Sequence, residues 1–123
     1  MPDIQVFGTA DSPATRAALR FIRERRIVVH HSDLRKRPIA PGELQRFVQK
    51  LGARALLDDT SRAYLDQGLV HMRIDDAGIV SRLLADVRLL RQPLVRHGNE
   101  MTVGRDEAAW AAWLKPTGGA GAR

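Results

Sequence analysis

A short apolar segment that leads straight into a helix constrains the fold of this chain more than any other feature. Ile4–Gly8 is rich in residues that favour strands and ends on a glycine. Ser12 is a favoured helix N-cap, and Pro13 suits the first turn of a helix. Apolar residues then recur with helical spacing as far as Ile22. A strand that turns into a helix in this way points backbone N–H groups at whatever lies above the turn.

The other strands are predicted from two further regions. Residues 27–30 form a mostly β-branched run that completes a strand–helix–strand unit, and such units are right-handed with parallel strands. Near the other end, residues 93–95 and 101–103 flank a turn cluster at residues 97–99, which predicts a hairpin. A last helix is expected to begin at the acidic residues 106–107, because negative charge stabilises a helix N-terminus.

The segment at about residues 41–90 has no strand pattern and is predicted to be a helical insertion. The helix that opens the insertion begins at Pro41 and ends at Gly52. Another helix covers about residues 77–86. Its predicted buried side chains are Val80, Leu83, Leu84 and Val87.

This order of elements predicts an α/β fold with a mixed four-stranded sheet and helices on both faces. A chain of 123 residues is long enough for one domain that buries its own core. We place that domain at residues 1–114. Residues 115–123 are rich in glycine and alanine, and we expect them to be a disordered tail.

The sequence contains no cysteine, which removes disulfides, thiolate catalysis and cysteine metal sites together. Its four histidines lack the spacing of metal ligands, so we expect no metal site. No apolar run approaches the roughly 20 residues that cross a bilayer, and the first residues lack the pattern of a secretory signal. We therefore expect a cytoplasmic protein without a membrane partner.

Positive charge is concentrated in residues 16–37, which hold eight basic residues against two acidic ones. The whole chain carries a formal charge of +6, so this segment accounts for all of it. Such a segment would attract nucleic acid or an acidic protein surface. The interpretation that we favour is a solvated helix face followed by a loop, because charge patterning of this kind also serves solubility.

Seven segments of the chain form a recognisable series. They are residues 6–8, 15–19, 27–34, 41–44, 55–69, 89–95 and 103–107. In this order and spacing they resemble the family that contains glutaredoxin-linked arsenate reductases and Spx-type transcription regulators. The resemblance covers the chain from Ile4 to about Leu114 and implies a thioredoxin-like fold with a helical insertion.

The resemblance also implies where the functional residues of the family would lie. The reactive cysteine would fall at Ser12, and the second cysteine of Spx-type regulators would fall at Thr15. The proline that is cis in the thioredoxin fold and faces this turn would be Pro93, so we predict a cis bond between Gln92 and Pro93. At Ser12 the alternatives are a helix cap, which we favour, and a nucleophile, which would need an adjacent general base.

Arsenate reductases of this family also gather arginines around their oxyanion. One of these arginines would stand where this chain has Gln92, with Arg91 one place earlier, and another is retained at Arg105. Arg62 lies in the region of a third. If these side chains and Arg16 converge near the turn, they would bind an anion such as phosphate, sulfate or a carboxylate. The alternative is a set of surface arginines without a shared target.

The leading hypothesis is a protein similar to arsenate reductases or Spx-type regulators that has lost thiol–disulfide chemistry and acts as a binding module. Its partner would be another protein or a small anion at the surface around Ser12, Pro93 and Arg105, and the Spx branch implies RNA polymerase. The first alternative is an arsenate reductase-like oxidoreductase, in which Ser12 and the arginines position an oxyanion for an external thiol such as glutathione. We expect no other cofactor. Direct nucleic-acid binding by residues 16–37 is a further alternative that we do not favour.

Overall fold

The computed structural model describes residues 4–114, and these form one mixed sheet covered by helices. The strands are β1 (Ile4–Gly8), β2 (Val29–Asp33), β3 (Leu94–His97) and β4 (Glu100–Val103). The α-helices are α1 (Pro13–Glu24), α2 (Pro41–Leu51), α3 (Arg62–Asp66), α4 (Asp76–Ala85) and α5 (Glu107–Trp113). Three short 3-10 helices lie between α2 and β3, at Arg54–Leu56, Leu69–His71 and Val87–Leu89. The tail predicted at residues 115–123 lies outside the described residues.

The strand order is β2-β1-β3-β4. β1 is parallel to β2 and antiparallel to β3, and β3 is antiparallel to β4. The parallel pair arises because α1 carries the chain back across the sheet, whereas the closing hairpin is antiparallel. The predicted mixed four-stranded sheet is therefore confirmed, and β2 stands at one edge of it.

Alternate residues of β1 face two separate hydrophobic clusters, because successive side chains of a strand point to opposite faces. Ile4 and Val6 pack with α1 and α5, in a cluster that includes the fully buried Trp110. Phe7 packs on the other face, edge-on to Phe47 of α2 with ring centroids 5.8 Å apart. The sheet is thus covered by α1 and α5 on one face and by the insertion on the other.

The ends of the first two helices follow from local sequence. α1 begins after the Ser12 cap with Pro13 in its first turn, as predicted. α2 begins at Pro41 and ends before Gly52, which has a positive φ of 89° that a residue with a side chain rarely adopts. None of the helices in residues 4–114 has the length and apolarity that crossing a bilayer requires.

The second strand is confirmed, but its predicted bounds are wrong by two residues at the start and three at the end. β2 is observed at Val29–Asp33, whereas residues 27–30 were expected to form it. The reason lies in the exit from α1, where Arg26 adopts a left-handed conformation with a φ of 61° and donates its N–H to the carbonyl of Arg23. This turn delays the start of the strand and leaves Val28 60% exposed.

The predicted helix at about residues 77–86 is observed at Asp76–Ala85, because Asp75 caps it one residue earlier. Its buried residues are Ile79 and Leu83, which are one turn apart. Leu83 was therefore predicted correctly. The predicted core residues that are instead partly buried against the same cluster are Val80, Leu84 and Val87.

Candidate functional site

The turn between β1 and α1, residues 9–12, is closed by its own hydrogen bonds. The backbone N–H of Ser12 donates to the carbonyl of Thr9 at 3.1 Å. The Ser12 Oγ then accepts from the N–H of Thr15 at 3.2 Å and so caps α1. The predicted cap is confirmed: a capping hydroxyl stands where the resemblance implies a reactive cysteine.

Gln92 reaches the same turn from the segment that precedes β3. Its Oε1 accepts from the backbone N–H of Thr9 at 2.6 Å and from the Thr9 hydroxyl at 3.0 Å. It also accepts from the hydroxyl of Thr15 at 3.4 Å. The bond between Gln92 and the buried Pro93 is cis, as predicted. A neutral amide oxygen therefore lies against the donors beside the start of α1.

Gly8 allows these groups to pack so closely. A Cβ at this position would lie 2.3 Å from the Thr15 Oγ1 and 3.2 Å from the Gln92 Oε1. Thr15 is fully buried and Thr9 nearly so, which means that their hydroxyls depend on protein partners for hydrogen bonds. The Gln92 oxygen supplies that partner to both.

The Ser12 hydroxyl has no general base to activate it within residues 4–114. Its bonding partner is the Thr15 amide, which donates to the oxygen and cannot remove a proton from it. His31, on β2, has its Nε2 3.1 Å from the carbonyl oxygen of Gly8. Because a serine hydroxyl needs an adjacent base to act as a nucleophile, this arrangement is suited to holding the turn and the helix end.

One exposed carboxylate, Asp11, stands on the turn. Its Oδ2 lies 2.5 Å from Nη2 of Arg35, which belongs to the loop after β2. A hydrogen bond with the Thr9 hydroxyl, and after it the charge of Arg35, hold the pKa of Asp11 below its usual value. Since one hydroxyl carries one proton, Thr9 serves either Asp11 or Gln92 at a given moment.

Each arginine of the predicted anion site has a local partner. Arg16 donates from Nη1 to the turn carbonyl of Ala10 at 3.2 Å. The other arginines contact carboxylates: Arg105 with Glu107 at 2.7 Å and Arg62 with Asp66 at 3.3 Å, both close in sequence, and Arg91 with the more distant Asp59 at 3.6 Å. The structure brings Ser12, Thr15 and Gln92 together at the turn, whereas shared binding of an anion by the arginines stays a prediction.

A groove of about 640 Å³ lies beside the turn, and we call it the β2 groove. Phe7, Leu34 and Ile39 line its apolar part, and Lys36 and Arg37 line its basic part. The groove exists because α2 packs towards β4 and leaves the same face of β2 uncovered. No group of three acidic or histidine side chains that could hold a metal ion occurs in the part of the chain that the structure describes.

Sequence reasoning missed both the role of Gln92 and the β2 groove. In the sequence, Gln92 is only the residue that stands where the resemblance implies an arginine. The signal that could have revealed its role was the predicted cis proline, which faces the turn and brings the preceding side chain with it. The signal for the groove was the polar character of β2, where Ser32 is exposed and shares a face with Phe7.

Known proteins with similar sequences carry the name arsenate reductase. Two of them, from Neisseria meningitidis serogroup A and serogroup B, are each 28% identical to this chain over 108 residues. These residues span 85% of this chain and 92% of each relative. The similarity therefore extends over nearly the whole length of both proteins.

Solved structures share the fold. The protein named YFFB has a TM-score of 0.83 at 19% identity, with 90% of this chain and 98% of that chain covered. The arsenate reductase from Vibrio cholerae has a TM-score of 0.78 at 17% identity, with 90% and 97% covered. The predicted fold class is confirmed by these matches. The model of the ArsC family matches residues 7–113, which include most of the sheet, the insertion and the flanking helices, and the chain therefore belongs to the ArsC family.

Proposed function

We propose that this chain is a binding protein of the ArsC family that does not carry out thiol–disulfide chemistry. The observation that supports this most directly is the closed state of the turn. The Ser12 hydroxyl caps α1, and the Gln92 Oε1 takes the donors of Thr9 and Thr15. The groups at the usual reactive position thus serve the stability of the turn.

The chemistry of the side chains supports the same proposal. Transfer of electrons between a thiol and a disulfide needs a thiolate as nucleophile, and the chain has no cysteine. A hydroxyl at a helix N-terminus is not ionised near neutral pH, and Ser12 has no base beside it in the described residues. Retention of the fold without the thiol favours recognition as the remaining activity.

Among possible ligands, the contacts favour a protein over a small oxyanion. An oxyanion at the turn would compete with the Gln92 oxygen for the donors of Thr9 and for the Thr15 hydroxyl. It would also compete with the carboxylates that already pair with Arg91 and Arg105. A protein partner can instead use the surface around the turn without breaking these contacts. RNA polymerase, in the cytoplasm, is the specific partner that the resemblance to Spx-type regulators leads us to propose.

A reductase assay tests the proposed loss of redox activity. Purified protein is given arsenate with glutathione and glutaredoxin, and arsenite formation is followed for the native chain and for Ser12→Ala. We expect both to remain at the rate of the reaction without protein. Turnover by the native chain that disappears in Ser12→Ala would contradict the proposal and favour the oxidoreductase alternative.

The variant Ser12→Cys is the matched positive control for that assay. A thiol at the start of α1 is expected to have a pKa below the usual value of about 8.5, because the helix N-terminus stabilises the thiolate. Faster alkylation of this variant than of an unfolded cysteine peptide would show that the turn still favours a thiolate. If the native chain forms no arsenite, the cause is then the missing sulfur and not a damaged fold.

Binding measurements test the choice of ligand. We expect saturable binding of the native chain to purified RNA polymerase in surface plasmon resonance, unchanged by a thiol oxidant applied to this chain. We expect no heat of binding with arsenate, phosphate or sulfate in calorimetry. Absent polymerase binding would reject that partner, and oxyanion binding that weakens in Arg105→Ala would replace the protein with the oxyanion.

A further inference from the structure

The outer edge of β2 presents backbone groups that no described residue uses. In the parallel pair, the N–H of Ile4 donates to the carbonyl of Val28, and the N–H of Leu34 donates to the carbonyl of Gly8. This register turns the N–H and C=O groups of Val29 and His31 away from β1. Within residues 4–114 these backbone groups have no hydrogen-bond partner, and β2 has no neighbouring strand on that side. Unpaired edges of this kind can accept a further strand.

The β2 groove lies on one face of this edge strand. In the β1–β2 register Phe7 is opposite Ser32, so the two side chains share the face that the groove covers. Leu34 and Ile39, which follow the strand, complete the apolar lining. Any segment that paired with β2 would send alternate side chains towards this face, where the apolar lining could receive them.

The positive charge at the groove is only partly offset by the acidic residues that line it. Lys36 and Arg37 are exposed and form no ion pair with the described residues. Two carboxylates also line the groove. The Glu43 Oε2 pairs with Arg96 at 2.8 Å, whereas Asp33 keeps its negative charge and accepts from the backbone N–H of Arg35 at 3.1 Å. With Arg96 counted, the basic groups still outnumber the acidic ones. The groove therefore favours a ligand that brings carboxylates.

We infer that the β2 groove and the outer edge of β2 bind an extended, acidic segment of a partner protein. The segment adds a strand to β2 through the backbone of Val29 and His31. Its apolar side chains enter the groove, and its carboxylates meet Lys36 and Arg37. This inference rests on the proposed function in one respect, namely that the chain acts by binding a protein.

Two other occupants fit the same surface less well. A second copy of this chain, paired edge to edge, would bring two basic loops together, and like charges oppose such pairing. A nucleic acid would satisfy the charge, but its phosphates only accept hydrogen bonds and cannot serve the free carbonyl groups of the edge. Both occupants are distinguished by the experiment below.

The probe is a fluorescein-labelled octapeptide with two glutamates at each end of a core of alternating valine and threonine, titrated with the native protein in fluorescence anisotropy. One comparison peptide carries lysine in place of glutamate. A second keeps the side chains but has N-methylated amides along one edge, which removes its donors for strand pairing. We expect the acidic peptide to bind at least about tenfold more tightly than either comparison peptide.

The protein variants separate the groove from general surface charge. Lys36→Glu combined with Arg37→Glu is expected to weaken binding of the acidic peptide about tenfold. Arg46→Glu combined with Lys50→Glu makes the same change of charge on exposed residues of α2 outside the groove and should have little effect. In NMR, the amides of Val29 and His31 should exchange more slowly when the acidic peptide is bound.

Several results would overturn the inference. These are equal binding of the acidic and basic peptides, no binding of either, or equal weakening by the two double variants. Protection of the Val29 and His31 amides in the protein alone, together with a dimer in sedimentation, would assign the edge to a second copy. Salt-sensitive binding of single-stranded DNA that the acidic peptide cannot displace would assign the groove to nucleic acid. None of these results alters the reductase assay, so failure here leaves the proposed loss of redox activity separately tested.

Discussion

The β1–α1 turn and the β2 groove lie next to each other on the surface. They differ in whether their polar groups have partners within the protein. In the turn, the N–H of Thr9 and the hydroxyls of Thr9 and Thr15 share the Gln92 oxygen, and the Thr15 N–H donates to the Ser12 Oγ. In the groove, the charges of Lys36 and Arg37 have no ion-pair partner among the described residues. The first region is organised for stability, and the second retains the capacity to bind.

This difference explains how a chain of this family can keep its fold without the usual chemistry. Replacing a reactive group by internal hydrogen bonds removes one reason for ligands to approach the turn, because the donors of Thr9 and Thr15 already have acceptors. Recognition then depends on a surface whose donors, acceptors and charges are still available. The predictions below test whether the turn is as closed, and as separate from the groove, as its contacts indicate.

Gly8→Ala tests the close packing of the turn and has the largest expected effect. The added Cβ would lie 2.3 Å from the Thr15 Oγ1 and 3.2 Å from the Gln92 Oε1, so these side chains would have to move. We expect the free energy of unfolding in urea to fall by about 3 kcal/mol.

Gly42→Ala is the matched control for this substitution. A Cβ at Gly42 meets nothing within 4 Å, and alanine favours the helix in which this residue lies. We expect unchanged or slightly increased stability. Adding Thr15→Ala to Gly8→Ala should recover part of the loss, and equal losses in the two glycine variants would show that the turn is not closely packed.

Gln92→Ala tests whether the shared oxygen closes the turn. Its removal leaves the Thr9 N–H and the buried Thr15 hydroxyl without their acceptor. We expect a loss of about 2 kcal/mol in the free energy of unfolding. Gln92→Glu keeps an acceptor oxygen near the start of α1, where negative charge is favourable, and should lose much less. Similar losses in the two variants would indicate that packing, and not hydrogen bonding, is the main contribution.

Ser12→Ala tests the interpretation of this residue as a cap. The variant loses the bond from the Thr15 N–H to the Ser12 Oγ, and we expect it to be about 1 kcal/mol less stable in thermal or urea unfolding. Ser12→Asp keeps a capping oxygen and should remain within a few tenths of a kcal/mol of the native chain. If the aspartate variant were as unstable as the alanine variant, Ser12 would have a role beyond capping.

The fold was predictable largely because its signals are local. The strand Ile4–Gly8, the Ser12 cap and the helix from Pro41 to Gly52 each depend on residues close together in sequence. The sequence places β2 too early because the apolar residues just before it match a strand pattern better than the strand itself does. An edge strand with one uncovered face can be polar, as Ser32 shows, and hydrophobic pattern then misleads.

The site was less predictable because its contacts join distant parts of the chain. The bond between Thr9 and Gln92 links residues 83 positions apart, and only the predicted cis proline pointed to it. The contacts of Arg91 and Arg105 depend on side-chain direction, which neither periodicity nor family resemblance specifies. Whether Lys36 and Arg37 form ion pairs within the protein likewise depends on tertiary structure.

The ion pair between Asp11 and Arg35 joins the turn to the loop of the groove, and its loss has the smallest expected effect. The pKa of Asp11 lies below its usual 3.8, first through the Thr9 hydroxyl and then through Arg35. A lowered folded-state pKa contributes stability above pH 3.8, and this contribution is lost as the pH falls through the folded value. Both side chains are more than half exposed, so solvent screens the pair.

Arg35→Ala should raise the pKa of Asp11 in an NMR titration, whereas Arg37→Ala, next but one in the same loop, should change it less. Equal shifts would mean that Asp11 senses the charge of the whole groove, and the turn and the groove would then be one electrostatic unit.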